Sequence, residues 1–174
     1  MAAFLLGFGS ACENDGGGIS TDVGDNDVNV VVAMGDSITG GGNEPGVVPW
    51  PALLGGKIGK TVVNAGQGGA RSDSAPARAP GLLARYQPGY VVLMYGANDA
   101  GRDWDTADTI ANLRAAIQII KANQSIPILC TLTPVFGPHR GFEGGVDSRN
   151  AAIRDLASEE KVPRADVADA FGED

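Results

Sequence analysis

The sequence predicts an α/β protein, built as a three-layer α/β/α sandwich around a five-stranded parallel sheet. Two observations predict this fold class. Short segments that are apolar almost throughout alternate with segments of helical periodicity, which is typical of parallel strands joined by right-handed crossovers. The continuous hydrophobicity of the strand segments also indicates that helices cover both faces of the sheet. With 174 residues, 43% of them hydrophobic and 20% charged, the composition fits one globular domain.

The predicted strands share β-branched or apolar side chains and are bounded by Gly, Pro or Asn, which interrupt regular structure. In chain order they are Val28–Met34, Thr61–Asn64, Tyr90–Tyr95, Ile126–Leu132 and Val162–Val167.

Helical segments lie between these strands. Pro49–Leu54 begins a short helix, since proline is tolerated in the first helical turn. Ser74–Tyr86 predicts a second helix, interrupted at Pro80-Gly81. Thr106–Ala122 is the clearest helix, because its apolar residues recur at helical spacing behind an aspartate suited to cap it. Asp147–Lys161 predicts the last helix, with one apolar and one charged face.

The first 27 residues predict a leader and a flexible tether in front of a domain at residues 28–174. Met1–Ala11 is apolar, too short to span a membrane, and typical of a secretory signal. A Gly-Ser-Ala sequence before Cys12 resembles the lipobox of bacterial lipoproteins and predicts lipidation of Cys12. The protein would then be an exported periplasmic or cell-surface lipoprotein, and otherwise a secreted protein. An artefact of the gene start is the alternative; in either case the polar, Gly-rich Glu13–Asp27 predicts a disordered tether.

Charge and composition exclude several classes of function. The formal net charge of -8, with no cluster of Lys or Arg, disfavours nucleic acid and anionic membrane surfaces as partners. No group of His, Cys and Asp has the spacing of metal ligands, so neither a metal nor a cofactor is predicted. Cys130 lies in an apolar segment and is predicted to be a buried, unreactive thiol. The oligomeric state is left open.

The ends of two predicted strands carry the residues best suited to chemistry. The first strand runs into Gly35-Asp36-Ser37-Ile38-Thr39, and the third runs into Gly96-Ala97-Asn98-Asp99. A serine at a strand-to-helix turn exposes its hydroxyl and offers its own N–H to a developing oxyanion. An amide side chain and a loop glycine add uncharged donors, and both are available at neighbouring strand ends. Since the carboxyl ends of parallel strands meet at one edge of the sheet, these residues are expected to converge.

These motifs resemble those of the SGNH hydrolases, also called GDSL esterases/lipases, over roughly residues 28–174. The resemblance implies that Ser37 is the nucleophile, that Gly69 of VVNAGQGG donates its N–H to the oxyanion, and that Asn98 donates its side-chain amide. It also implies a flavodoxin-like fold and a serine esterase that acts through an acyl-enzyme without a cofactor. The substrate would be a small-molecule or polysaccharide ester. The polar, Gly-rich rim of the site favours a short acyl group, such as acetyl.

The resemblance also implies a catalytic Asp-x-x-His motif near the C-terminus, which the printed sequence does not contain. We favour the interpretation that the sequence is a C-terminally truncated copy, with the Asp/His pair beyond residue 174, and that this chain is inactive. His139 as a substitute base and a non-catalytic relative that only binds are the alternatives. Asp36 and Asp99 are further candidate site residues, expected to brace their loops rather than react.

A rival interpretation from another class of function is a flavodoxin-like or carbohydrate-binding module. The hydroxyl- and Gly-rich segment after the first strand superficially resembles a phosphate-binding loop. Asp36 disfavours this interpretation, because a carboxylate would repel a phosphate at that position.

Overall fold

The computed structural model describes residues 19–42, 46–102 and 104–172. The predicted lipidation site, Cys12, lies outside these residues and stays a prediction. Within the predicted tether, Val23 is buried and the side chain of Asn26 donates a 2.7 Å hydrogen bond to the backbone oxygen of Asn123. This part of the segment that was predicted to be a disordered tether therefore packs against the domain instead.

The predicted five-stranded parallel sheet is confirmed, with strand order β2-β1-β3-β4-β5. The strands are β1 (Asp27–Gly35), β2 (Thr61–Gly66), β3 (Pro88–Met94), β4 (Ile126–Cys130) and β5 (Arg164–Ala165). In the register, Val32 of β1 lies opposite Val63 of β2 and Val91 of β3. The chain moves from β1 to β2 on one side and then returns to β3 on the other. The sheet therefore has its topological switch point between β1 and β3, where open α/β sheets bind ligands.

The described residues form seven α-helices and one 3₁₀ helix, rather than the four helices predicted. The longer helices are α2 (Trp50–Ile58), α3 (Ser74–Tyr86), α5 (Thr106–Ala122) and α6 (Glu143–Glu159). The shorter helices are α1 (Ser37–Gly40), α4 (Ala97–Ala100), the 3₁₀ helix Gly137–Phe142 and α7 (Val167–Phe171). α1 and α4 directly follow β1 and β3, which explains why a search for long periodic segments does not find them.

Helix α3 is continuous, so the predicted interruption at Pro80-Gly81 was wrong. Pro80 removes one backbone donor from the helix, but its side chain is exposed, and water can solvate the carbonyl that this donor would have bonded. On the opposite side, Ala75, Ala79 and Leu83 are buried in the core. Tertiary packing of that face therefore outweighs the local preference of proline.

The predicted last strand, Val162–Val167, is shortened to the two residues of β5. The N–H of Val162 donates to the backbone oxygen of Ala157 and so belongs to the end of α6, and Asp166 is already the N-cap residue of α7. Hydrogen bonding at both helix ends thus limits the strand. Helix α6 also begins four residues before its predicted start, at Glu143, directly after the 3₁₀ helix.

The core is densest on the sheet face that carries α3, α5 and α6. Every second side chain of the central strands points to this face. Among them are Val32, Leu93 and Leu129, which are at most 1% exposed. On the other face, α2 and the short α7 border an apolar groove that crosses β1, β3 and β4. The described residues thus cover this second face less completely than the sequence predicted. No helix in the described ranges is both long enough and apolar enough to cross a membrane.

Gly66, the last residue of β2, lies directly against the backbone of α1. A Cβ atom at residue 66 would come within 2.2 Å of the Gly40 nitrogen and 2.6 Å of its Cα. Neither atom can move away without displacing α1, so β2 and the helix that begins with Ser37 are fixed to each other.

We expect Gly66→Ala to lower the free energy of unfolding by about 1–3 kcal/mol, the usual effect of overpacking. Urea denaturation followed by circular dichroism measures the change. Gly68→Ala is the matched control, because a Cβ there would meet nothing within 4 Å. Equal denaturation midpoints for the two variants would contradict the close contact.

Candidate active site

Ser37 is presented by a tight turn at the end of β1. Asp36 caps α1, since its Oδ1 atom accepts the N–H of Ile38 at 2.9 Å and its backbone oxygen accepts the N–H of Gly40 at 2.9 Å. Ser37 is therefore the first residue of the helix and is exposed. Neither its hydroxyl nor its N–H is hydrogen-bonded to a described residue, so both groups are available to a ligand.

Gly69 lies in the loop after β2, which is the edge strand beside β1. The N–H of Gln67 donates to the backbone oxygen of Gly35 at 3.0 Å, and the N–H of Ala70 closes a turn onto the Gln67 oxygen at 3.1 Å. Gly69 occupies this turn with φ of +71°, a conformation that side-chain-bearing residues rarely adopt. Its N–H donates to no acceptor in the described part of the chain.

Asn98 follows β3 and reaches both neighbouring loops. Gly96 has φ of +132°, and a Cβ at this residue would come within 3.2 Å of Leu132, so the turn that aims Asn98 requires glycine. The Asn98 Nδ2 atom donates to the backbone oxygen of Ala70 at 3.0 Å and to the Oδ2 atom of Asp36 at 3.3 Å. One amide group therefore connects the ends of β1, β2 and β3.

These residues converge at the switch point of the sheet. The structure brings together the strand ends that bear Ser37, Gly69 and Asn98, as the sequence led us to expect. Both hydrogens of the Asn98 amide have acceptors, and the bond to Asp36 is the longer of the two. A developing oxyanion would replace that bond most easily, because the bond to Ala70 is shorter and holds the loop. Such an arrangement can stabilise negative charge with uncharged donors.

Asp36 is a buried carboxylate, with 1% of its surface exposed. Burial raises its pKa above the ordinary value, the N–H of Ile38 opposes the rise, and the nearby charge of Asp99 adds to it. The carboxylate binds the start of α1 and the Asn98 amide, and no imidazole bonds to it in the described residues. Its contacts are those of a structural cap.

Asp99 is fully buried, and its hydrogen-bond partners differ from those of the neighbouring Asn98. It accepts hydrogen bonds from the N–H of Ser72 at 3.1 Å, from the Ser72 hydroxyl, and from the Thr109 hydroxyl at 3.1 Å. Ser72, Thr109 and Arg149, which continues this network, were not predicted from the sequence as site residues. A signal existed for Arg149, since helical spacing places it on the same face of α6 as Val146 and Ile153.

His139 lies in the 3₁₀ helix after β4 and is exposed. Its ring lies 6.0 Å from the ring of Phe142, measured between centroids. It makes no hydrogen bond to Ser37 in the described structure. The structure thus brings the candidate nucleophile and oxyanion donors together, and His139, the alternative base, does not contact them.

The apolar groove of the sheet, with a volume of about 770 Å³, opens beside Ser37. Its rim contains exposed apolar side chains of Ile38, Val48, Leu53 and Phe171. These walls differ from the polar rim that the sequence suggested. Cys130 lines the same groove but is buried, which raises the pKa of its thiol to about 12 and makes it unreactive, as predicted.

Most of the chain matches one known protein family. Residues 33–174 of the chain match the GDSL-like lipase/acylhydrolase family. This range includes Ser37, Gly69 and Asn98, so the match covers all three strand ends.

Two relatives and one solved structure illustrate the similarity. The chain is 38% identical over 101 residues to thioesterase 1/protease 1/lysophospholipase L1 of Escherichia coli K12, a match that covers 57% of this chain and 49% of the relative. It is 31% identical over 96 residues to an arylesterase of Vibrio mimicus, covering 52% and 48% respectively. The chain thus spans about half the length of these two relatives. The structure of a G-D-S-L family protein from Desulfitobacterium hafniense DCB-2 superposes with a TM-score of 0.71 at 26% identity, over 79% of this chain and 77% of that one.

We expect the pKa of Asp36 to lie above 3.8, the ordinary value for an aspartate, and the pKa of Asp166 to lie below it. Burial raises the pKa of Asp36, whereas the hydrogen bonds from Arg154, 2.9 Å away, lower the pKa of Asp166 against its partial burial. The pH dependence of the carboxyl ¹³C resonances measures both values. A midpoint for Asp36 at or below 3.8, or for Asp166 above it, would contradict the environments described.

The same shifts act on stability with opposite signs. The native state holds the Asp36 proton more tightly than the unfolded state, so this group destabilises the fold as pH rises from 3.8 through its folded pKa. Asp166 contributes stability that is present above 3.8 and is lost as pH falls through its lower folded pKa.

Proposed function

Because the chain belongs to the GDSL-like lipase/acylhydrolase family, we propose that it hydrolyses carboxylic esters with Ser37 as the nucleophile. The resemblance seen in the sequence is confirmed by the family match over residues 33–174. The observation that carries the proposal is the position of the Asn98 amide, which bonds to the loop of Gly69 and to the residue before Ser37.

The reaction would proceed through an acyl-enzyme. The Ser37 oxygen attacks the ester carbonyl carbon while its proton passes to a base, and the N–H groups of Ser37 and Gly69 with the Asn98 amide hold the oxyanion. Collapse of this intermediate breaks the bond to the alkoxy oxygen, which leaves as the alcohol after taking the proton. Water then attacks the acyl group in the same way, which releases the carboxylic acid and restores the Ser37 hydroxyl.

The described residues supply the oxyanion side of this chemistry without a base for Ser37. The sequence has a single histidine, His139, and its ring is beside Phe142 rather than bonded to Ser37. Loss of the base of a serine triad lowers the rate by about 10⁶, and oxyanion donors and binding alone retain about 10³–10⁴ over water. We therefore propose that a polypeptide of residues 1–174 has very low esterase activity.

The contacts of Asp36 support this function over a phosphate-binding module. The N-terminus of α1 is the place where the loop after β1 would hold a phosphate. There the Asp36 carboxylate already accepts the N–H of Ile38. A phosphate would have to displace this buried carboxylate from the N–H of Ile38. The negative charge of the carboxylate would also repel it.

The substrate class proposed is an ester with an apolar acyl or alkoxy group. The names of the two relatives, a thioesterase and lysophospholipase and an arylesterase, describe transfer of acyl groups to water. The apolar groove beside Ser37 supports a hydrocarbon group more than the sugar of an acetylated polysaccharide.

Hydrolysis of p-nitrophenyl acetate, with and without imidazole as an external base, tests the mechanism. Without imidazole, we expect turnover by the 174-residue polypeptide close to background. With imidazole, turnover should rise in a way that depends on Ser37, and Asn98→Ala should lower that turnover by about 10²–10³, the usual effect of losing one oxyanion donor.

Two variants serve as controls in the same assay. Ser37→Ala should lower the imidazole-dependent turnover to the rate that imidazole gives without protein, since imidazole hydrolyses this ester by itself, and His139→Ala should leave the excess over that rate unchanged. Turnover above that rate in Ser37→Ala would contradict the nucleophile. High turnover without imidazole that His139→Ala abolishes would instead make His139 the base.

A further inference from the structure

A chain of buried polar groups links α6 to the loop that carries Gly69. The Nε atom of Arg149 donates to the Thr109 hydroxyl at 3.1 Å, and that hydroxyl donates to Oδ1 of Asp99 at 3.1 Å. Asp99 in turn accepts both the N–H and the hydroxyl of Ser72. Arg149 is 2% exposed and the other three residues are fully buried, so water does not compete for these bonds.

Arg149 provides the positive charge that balances Asp99. The two charges are not in direct contact, because the Thr109 hydroxyl lies between them, accepting from one and donating to the other. The remaining guanidinium donors bind the backbone oxygens of Gly145, at 2.9 Å, and Trp104. Burial lowers the pKa of the Arg149 guanidinium from its ordinary value, while the charge of Asp99 opposes this. A buried carboxylate without such a partner is strongly destabilising.

This chain of contacts ends at one side of the Gly69 turn. Ser72, held by Asp99, is three residues after Gly69, and Ala70, held by Asn98, is directly after it. Gly69 itself has open space around it, since a Cβ there would meet nothing within 4 Å. The side-chain position of Gly69 therefore faces open space. The direction of its N–H depends on the anchored residues on both sides of it, Gln67, bonded to Gly35, before it and Ala70 and Ser72 after it.

We propose that Arg149 is a positioning residue, which acts through Thr109 and Asp99 to hold the Ser72 end of the loop and so aims the Gly69 N–H at the oxyanion. Its effect on the reaction rests on the function proposed above, because Gly69 matters only if an oxyanion forms beside Ser37. Arg149 does not touch the substrate. The Ser72 anchor itself is independent of catalysis and can be measured without a substrate.

Amide hydrogen exchange and ¹H–¹⁵N spectra of the 174-residue polypeptide test the proposal. Thr109→Val removes the bridging hydroxyl with little change of shape, and Thr109→Ser keeps the hydroxyl. We expect Thr109→Val to raise the exchange rate of the Ser72 amide at least tenfold and to shift the Gly69 amide resonance. The amides of β3, which report on global unfolding, should change by much less. Thr109→Ser should stay close to the wild type.

Arg149→Met, which removes the guanidinium, should have the same local effect as Thr109→Val. Arg114→Met is the matched control, since Arg114 forms surface ion pairs with Glu159 and Glu160 and should leave Ser72 and Gly69 unchanged. If Arg149→Met does not fold, the two Thr109 variants decide the question.

An unchanged Ser72 rate in Thr109→Val would overturn the proposal. An equal rise at Ser72 and in β3 would do so as well, because it would show a general contribution to stability. Ser37→Ala does not enter these measurements, so a failure of the esterase proposal would appear in the turnover assay and not here.

Discussion

The hydrogen bonds of the Asn98 amide are the interaction on which the candidate site depends. Through them, the residue after β3 is bonded to the cap of α1 and to the loop after β2. The Gln67–Gly35 hydrogen bond and the contact of Gly66 with α1 already join the loops after β1 and β2, and the Asn98 amide adds the loop after β3 to them. The topology of the sheet brings the three strand ends near one another, and the hydrogen bonds of the Asn98 amide fix the distances between them. Asn98 thus has a structural role in addition to the proposed one with the oxyanion.

Two buried carboxylates lie behind this site, and each has a separate set of donors. Asp36 binds the start of α1 and the Asn98 amide, while Asp99 binds Ser72 and Thr109. Their mutual repulsion contributes to the raised pKa of Asp36. Donors from neighbouring elements offset the unfavourable burial of both charges, which makes the loops of the site rigid. Preorganised donors of this kind are the main source of oxyanion stabilisation in enzymes, because they need not reorganise during the reaction.

Features set by local interactions or by the topology of the sheet could be predicted from the sequence, whereas features set by contacts between distant segments could not. Helix α5 has the predicted bounds, Thr106–Ala122, because its cap and its apolar face are local features. The convergence of Ser37, Gly69 and Asn98 could be predicted because the topology of a parallel sheet places strand ends together. The continuity of α3 through Pro80 and the short β5 could not, since packing and hydrogen bonds from distant segments decide them. The link from Arg149 to Ser72 joins three helices and the loop after β2, and no local pattern reveals its partners.

A crystal structure of the protein with phenylboronic acid would show whether Ser37, Gly69 and Asn98 act on one tetrahedral group. Boronic acids form tetrahedral adducts with nucleophilic serines that resemble the intermediate of ester hydrolysis. We expect boron bonded to the Ser37 oxygen, with one boronate oxygen about 2.7–3.1 Å from both the Gly69 nitrogen and the Asn98 Nδ2 atom. An adduct on another residue, or a boronate on Ser37 whose oxygens lie away from Gly69 and Asn98, would contradict it.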